Sequence, residues 1–80
     1  MKVVLVRWVE SMKTEGWITK VDAKNFVVSN EGAAIETVGF LVYDNEQAVG
    51  VGQSKTDQGR VESLVRIPQR SITHIEVINE

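Results

Sequence analysis

Apolar residues in this chain come in short runs and alternations bounded by polar turns, with a period of two and almost none of the three-to-four spacing of a helix. Val3 to Val9 (V-V-L-V-R-W-V) is β-branched and aromatic. Its imperfect alternation predicts a strand covered on both faces. From Ala33 to Tyr43 the alternation is clean. It sets Ile35, Thr37, Gly39, Leu41 and Tyr43 on one face and Ala34, Glu36, Val38, Phe40 and Val42 on the other. Asp44-Asn45-Glu46 then predicts a tight polar turn. In the following strand, Gln47 to Ser54, Val49 and Val51 share one face, while Ala48, Gly50, Gly52 and Ser54 leave the other nearly bare. Glycine weakens a strand interior, so two at i and i+2 predict sharp coiling or the close approach of another backbone.

Lys55 to Arg60 contains Asp57-Gln58-Gly59, a hairpin-loop sequence, and Val61 to Ile67 is the next strand. Pro68 stops it, having no N–H to give to a ladder. Gln69-Arg70 leaves room only for a tight turn, of which a 3₁₀ turn is one form, and Ser71 to Ile78 is the last strand. Between the first two strands, Ser11 to Gly16 reads as a polar loop and Gly16-Trp17-Ile18 as a brief apolar stretch. Val21 to Phe26 suits one helical turn capped by Asp22, or equally a short loop. Asn30-Glu31-Gly32 is a further turn signal. Five short strands without a helical period or an internal repeat predict an all-β fold. The expected architecture is a small five-stranded SH3-like barrel, with a short helical turn near residues 21–26 and a single domain over residues 1–80.

Composition changes this picture at one point. A chain of 80 residues buries only roughly 60% of its unfolded surface, so domains of this size usually need a disulfide, a metal or a partner subunit. There is no cysteine and a single histidine, His74. That argues against disulfides and against thiolate or histidine metal sites, and leaves self-association as the expected stabiliser. No apolar run approaches the ~18 residues of a membrane span and no signal peptide opens the chain, so a cytoplasmic protein with no membrane partner is expected. Eleven acidic against nine basic residues give a net charge of −2. This is not the basic coat of a nonspecific phosphate binder, but it leaves room for a local basic rim.

The C-terminal half resembles the Sm/LSm/Hfq family. Gly39-Phe40-Leu41-Val42-Tyr43-Asp44-Asn45-Glu46-Gln47-Ala48-Val49 follows that family's first signature segment, with one residue fewer before Tyr43. Ile67-Pro68-Gln69-Arg70-Ser71-Ile72-Thr73-His74-Ile75 keeps the spacing of the second. Arg7-Trp8-Val9-Glu10-Ser11 with Gly16-Trp17 is similar to small phage-encoded proteins of Sm-like fold, for which the host cytoplasm would be the location. The chain departs from the family at Ala48, where a base-contacting asparagine is usual, and at Pro68-Gln69, where an arginine-glycine pair is usual. Arg70 stands one step later.

The resemblance implies an Sm-like barrel that forms a homo-oligomeric ring of about five to seven subunits by family analogy. The terminal strands would pair between neighbours, with Val65, Ile67, Ile72, Ile75 and Val77 at the interface. It also implies single-stranded RNA as a ligand. Tyr43 would stack on a base, Asn45 and Gln69 would donate hydrogen bonds, and Arg70 would meet phosphate. No catalytic residue, cofactor or metal is expected. His74 lacks a serine or cysteine nucleophile motif around it, and Asp44 with Glu46 falls short of the six or more oxygens calcium takes. Trp8 and Trp17 are read as core or interface aromatics rather than base-stacking ones. The alternative is a structural or protein-interaction module of SH3-like form that binds no nucleic acid.

Overall fold

The computed structural model describes residues 1–11, 13–29 and 32–80. Five antiparallel strands, β1 (Val3–Glu10), β2 (Ala33–Asp44), β3 (Ala48–Lys55), β4 (Val61–Pro68) and β5 (Ile72–Asn79), form one sheet in the order β4-β3-β2-β1-β5. A helix, α1 (Lys20–Ser29), lies between β1 and β2, and a 3₁₀ turn (Gln69–Ser71) between β4 and β5. The fold is the small all-β, barrel-like architecture that the alternation predicts.

Curling of the sheet is visible in its core. Val4 and Val6 of β1, Val49 and Val51 of β3, and Ile67 of β4 form one buried cluster, with Trp8, Leu41 and Ile72 packed against it. β1 and β3 are separated in the sheet by β2, so their side chains can meet only if the sheet bends round on itself. β4 and β5 are the two edges and are not paired with each other, so the barrel stays open. Burying each of these aliphatic side chains contributes about 1.5–3 kcal/mol, so five make a thin core.

β2 changes partner along its length, pairing with β1 from Ala33 to Phe40 and with β3 from Phe40 to Asp44. At the crossover a Cβ on Gly39 would stand 2.5 Å from the Gly52 carbonyl oxygen and 2.7 Å from Val51 Cγ1. The close backbone approach expected of the β3 glycines is therefore made between Gly39 and Gly52. Gly50 is not part of it, its nearest neighbours lying at 3.7 Å or beyond. The β3–β4 hairpin closes on Thr56, whose Oγ1 accepts from the N–H groups of Gln58 and Arg60, with Gly59 at φ 83°.

Two local expectations change. The helical segment spans ten residues, not one turn. Its N-cap is Thr19, whose Oγ1 accepts from the Asp22 N–H at 3.1 Å. Asp22 sits instead in the first turn, where a carboxylate complements the helix dipole. The turn expected at Asn30-Glu31 lies outside the described residues, and Gly32 follows with φ 90°. The second change concerns Tyr43. Leu41 pairs with Val51 but Tyr43 with Gly50, so Val42 is a bulge residue. Adjacent residues of β3 face opposite ways, so the bulge turns Tyr43 off the face of Leu41, where simple alternation had set it.

Candidate nucleic-acid interface

Three of the four residues singled out for RNA meet at one end of the barrel, where the β2–β3 turn touches the 3₁₀ turn. Asn45 builds the first turn: its Oδ1 accepts from the Gln47 N–H at 2.8 Å and the Ala48 N–H at 2.9 Å. Asparagine suits this place because a short side-chain carbonyl can stand in for a backbone acceptor. Gln69 fastens the two turns together. Its Nε2 donates to Asp44 Oδ1 at 3.1 Å and to the Asn45 carbonyl at 3.0 Å, and its backbone N–H donates to the Gln47 carbonyl at 3.0 Å. Both amides are thus partly committed to the fold. Gln69 keeps Oε1 as an acceptor and Asn45 keeps Nδ2 as a donor.

Arg70 is exposed on the 3₁₀ turn. It shares with Glu46, Gln47, Arg66 and Pro68 a depression of about 410 Å³. Arg66 escaped the sequence reading. Its signal was the hairpin register: a loop centred on Gln58 sets Arg66 opposite Gly50, as observed.

Register then creates a second feature. Tyr43, Gly50 and Arg66 are successive cross-strand partners on β2, β3 and β4, and so share one face of the sheet. Tyr43 is 65% exposed. Neighbouring strands are about 4.8 Å apart, so the outer two strands of the row are separated by about 9.5 Å. Van der Waals contact of about 3.5–4 Å on each side leaves that gap wide enough for one planar ring, with Gly50 as a bare floor. An aromatic face, a floor without a side chain and guanidinium groups nearby can together hold a planar, anionic ligand.

The remaining candidates are elsewhere. His74 lies exposed on β5, its Nε2 3.7 Å from Glu76 Oε2. Trp8 is half-buried and donates from Nε1 to Thr37 Oγ1 at 3.0 Å, which gives it a structural role. Trp17 is fully exposed. Of the expected interface residues, Ile67 is buried in the barrel's own core and Ile72 is half-buried against it, because both point inward at the rim. Val65, Ile75 and Val77 are exposed on the edge strands, joined by Leu64 and Ile78. Among the described residues, no three histidine or carboxylate side chains converge to hold a metal ion, and no helix is long and apolar enough to cross a membrane. Comparison with family models, with curated proteins and with solved structures finds no match for this chain.

Proposed function

We propose that this chain is an Sm-like barrel that associates with copies of itself through β4 and β5 into a ring and binds single-stranded RNA at the rim. The observation that carries the RNA reading is the row Tyr43–Gly50–Arg66 with Arg70 beside it. A base stacks on Tyr43 over Gly50, and Arg66 and Arg70 supply the positive charge that an acidic chain otherwise lacks. Support for self-association comes from the strand order, which leaves β4 and β5 as free edges. A free edge presents unpaired N–H and C=O groups, and closing a ring satisfies them.

Fluorescence anisotropy with labelled oligo-uridine and oligo-adenosine at low salt tests the proposal. Modest affinity is expected, and Tyr43→Ala should remove about 1–3 kcal/mol per stacked base, roughly a 5- to 150-fold loss. Arg66→Ala and Arg70→Ala should each flatten the salt dependence. No binding by an intact oligomer would favour the protein-interaction module instead, a reading that draws on the exposed apolar residues Leu64, Val65, Ile75, Val77 and Ile78.

A further inference from the structure

The slot between Tyr43 and Arg66 has one closed end and one open end. Gly52 lies two residues beyond Gly50 on β3 and faces the same way, and a Cβ there would meet Val42 Cγ2 and Val61 Cβ, each at 3.4 Å. Those valines close that end with apolar surface. In the other direction lies Ala48, whose cross-strand partner is Pro68. These small side chains leave the slot open to the rim, where Glu46 and Gln47 meet Arg66, Pro68 and Arg70 around the depression of about 410 Å³. A planar ring held in the slot therefore turns its polar edge toward the rim, because hydrogen-bonding atoms facing the valines would go unpaired.

At that mouth stand charged side chains that the fold does not use. Among the described residues, no hydrogen bond or ion pair engages the side chains of Glu46, Arg66 or Arg70. The turn that carries Glu46 is nonetheless fixed. The Asn45 N–H donates to the Ala48 carbonyl at 3.1 Å, Asn45 Oδ1 accepts from the Gln47 and Ala48 N–H groups, and the Gln69 N–H donates to the Gln47 carbonyl. A free carboxylate on a rigid turn, beside a free guanidinium, is a preorganised pair of recognition groups. A carboxylate offers two acceptors side by side. Guanine alone among the four RNA bases has two donors side by side on its Watson–Crick edge, N1–H and N2–H. Adenine, cytosine and uracil each set an acceptor next to their donor, which would repel the carboxylate. Beyond N1 on the guanine ring come O6 and N7, the pair of acceptors that an arginine grips with two bonds. An acid next to an arginine at one opening thus matches the order of groups around this one base.

We propose that the slot selects guanine. Tyr43 and Arg66 hold the ring over Gly50, the Glu46 carboxylate accepts from N1–H and N2–H, and Arg70 donates to O6 and N7. This rests on the RNA reading and narrows its ligand to single strands that carry guanosine. Fluorescence anisotropy at low salt tests it, with labelled oligo-uridine strands that are unmodified or carry one central guanosine, inosine, adenosine or cytidine. The guanosine probe should bind about 5- to 150-fold more tightly than the unmodified one, the worth of a good bidentate pair. Inosine lacks the 2-amino group and should lose most of that gain. Glu46 is exposed, so Glu46→Gln should keep the unfolding midpoint of the parent protein, yet bind all the probes alike. Equal affinity of the parent protein for every probe, still weakened by Tyr43→Ala, overturns the guanine selection and leaves the RNA reading standing. A guanosine preference that survives Glu46→Gln, or that inosine matches in full, overturns it as well. No binding of any probe by the intact oligomer overturns both.

Discussion

At the scale of single residues, Gly39, Gly50 and Gly52 sit within one strand pair yet would answer a side chain differently. A Cβ on Gly39 meets a backbone oxygen at 2.5 Å, which cannot move without opening the β2–β3 ladder. Gly52 is tight, with Val42 Cγ2 and Val61 Cβ both at 3.4 Å, whereas Gly50 meets only ordinary contacts. Gly39→Ala should therefore destabilise by about 1–3 kcal/mol as overpacking, and lower the urea midpoint accordingly. Gly50→Val should leave that midpoint nearly unchanged, because the strand accepts a β-branched residue there, but it should weaken RNA binding by filling the floor between Tyr43 and Arg66. A matched loss of stability in both variants would contradict this account of the glycine floor. Alternation along one strand identifies Gly39 merely as an inward position. Its importance arises from β3 crossing it, a contact between strands that local sequence does not encode. Ser63, at φ 57° within β4, was likewise invisible, since serine carries no signal for a left-handed conformation.

Among the elements, the strands were legible nearly to their ends because polar turns bracket each one, and Pro68 coincides with the end of β4. The β2–β3 turn shows what lies beneath such a boundary. Asn45 Oδ1 holds two backbone N–H groups, and the Asn45 carbonyl holds Gln69, so one residue shapes the turn and anchors the 3₁₀ turn across from it. Asn45→Ala should cost about 1–2 kcal/mol, since two turn amides lose their acceptor. It should also speed hydrogen exchange at Gln47 and Ala48. Asn45→Asp keeps an acceptor in place and should restore most of that protection, whereas identical exchange in all three proteins would show that the turn stands without the side chain. The helix was less legible. β-branched Val21, Val27 and Val28 are weak helix formers and their spacing marks no single face, so neither propensity nor period announced ten residues. The bulge at Val42 was equally hidden, yet it brings Tyr43 onto the face of Arg66.

For the whole molecule, the barrel leaves two edges, β4 and β5, that no strand among the described residues pairs with on the outer side. β4 and β5 contain no lysine and expose Leu64, Val65, Ile75, Val77 and Ile78, so the charges of Glu62, Arg66 and Glu76 guard these edges against strand pairing only in part. A monomer would expose both edges as templates for open-ended association. A head-to-tail contact of β4 with a neighbour's β5 consumes one edge of each kind per subunit, so it ends without leftovers only when the cycle closes. The native protein should therefore show a mass several times 8.9 kDa in light scattering, held constant across micromolar dilution, and not a ladder of species. Leu64→Lys together with Ile78→Lys puts a charge on each edge, and should lower the mass to that of the monomer, while the far-ultraviolet spectrum stays β-rich. Because Arg66 and Arg70 lie on and next to the β4 edge, the same double variant should also lose the avidity of repeated sites along one RNA strand and bind as a single weak site. A native protein that runs as an 8.9 kDa monomer at every concentration would remove the ring, and with it the reason for two bare edges.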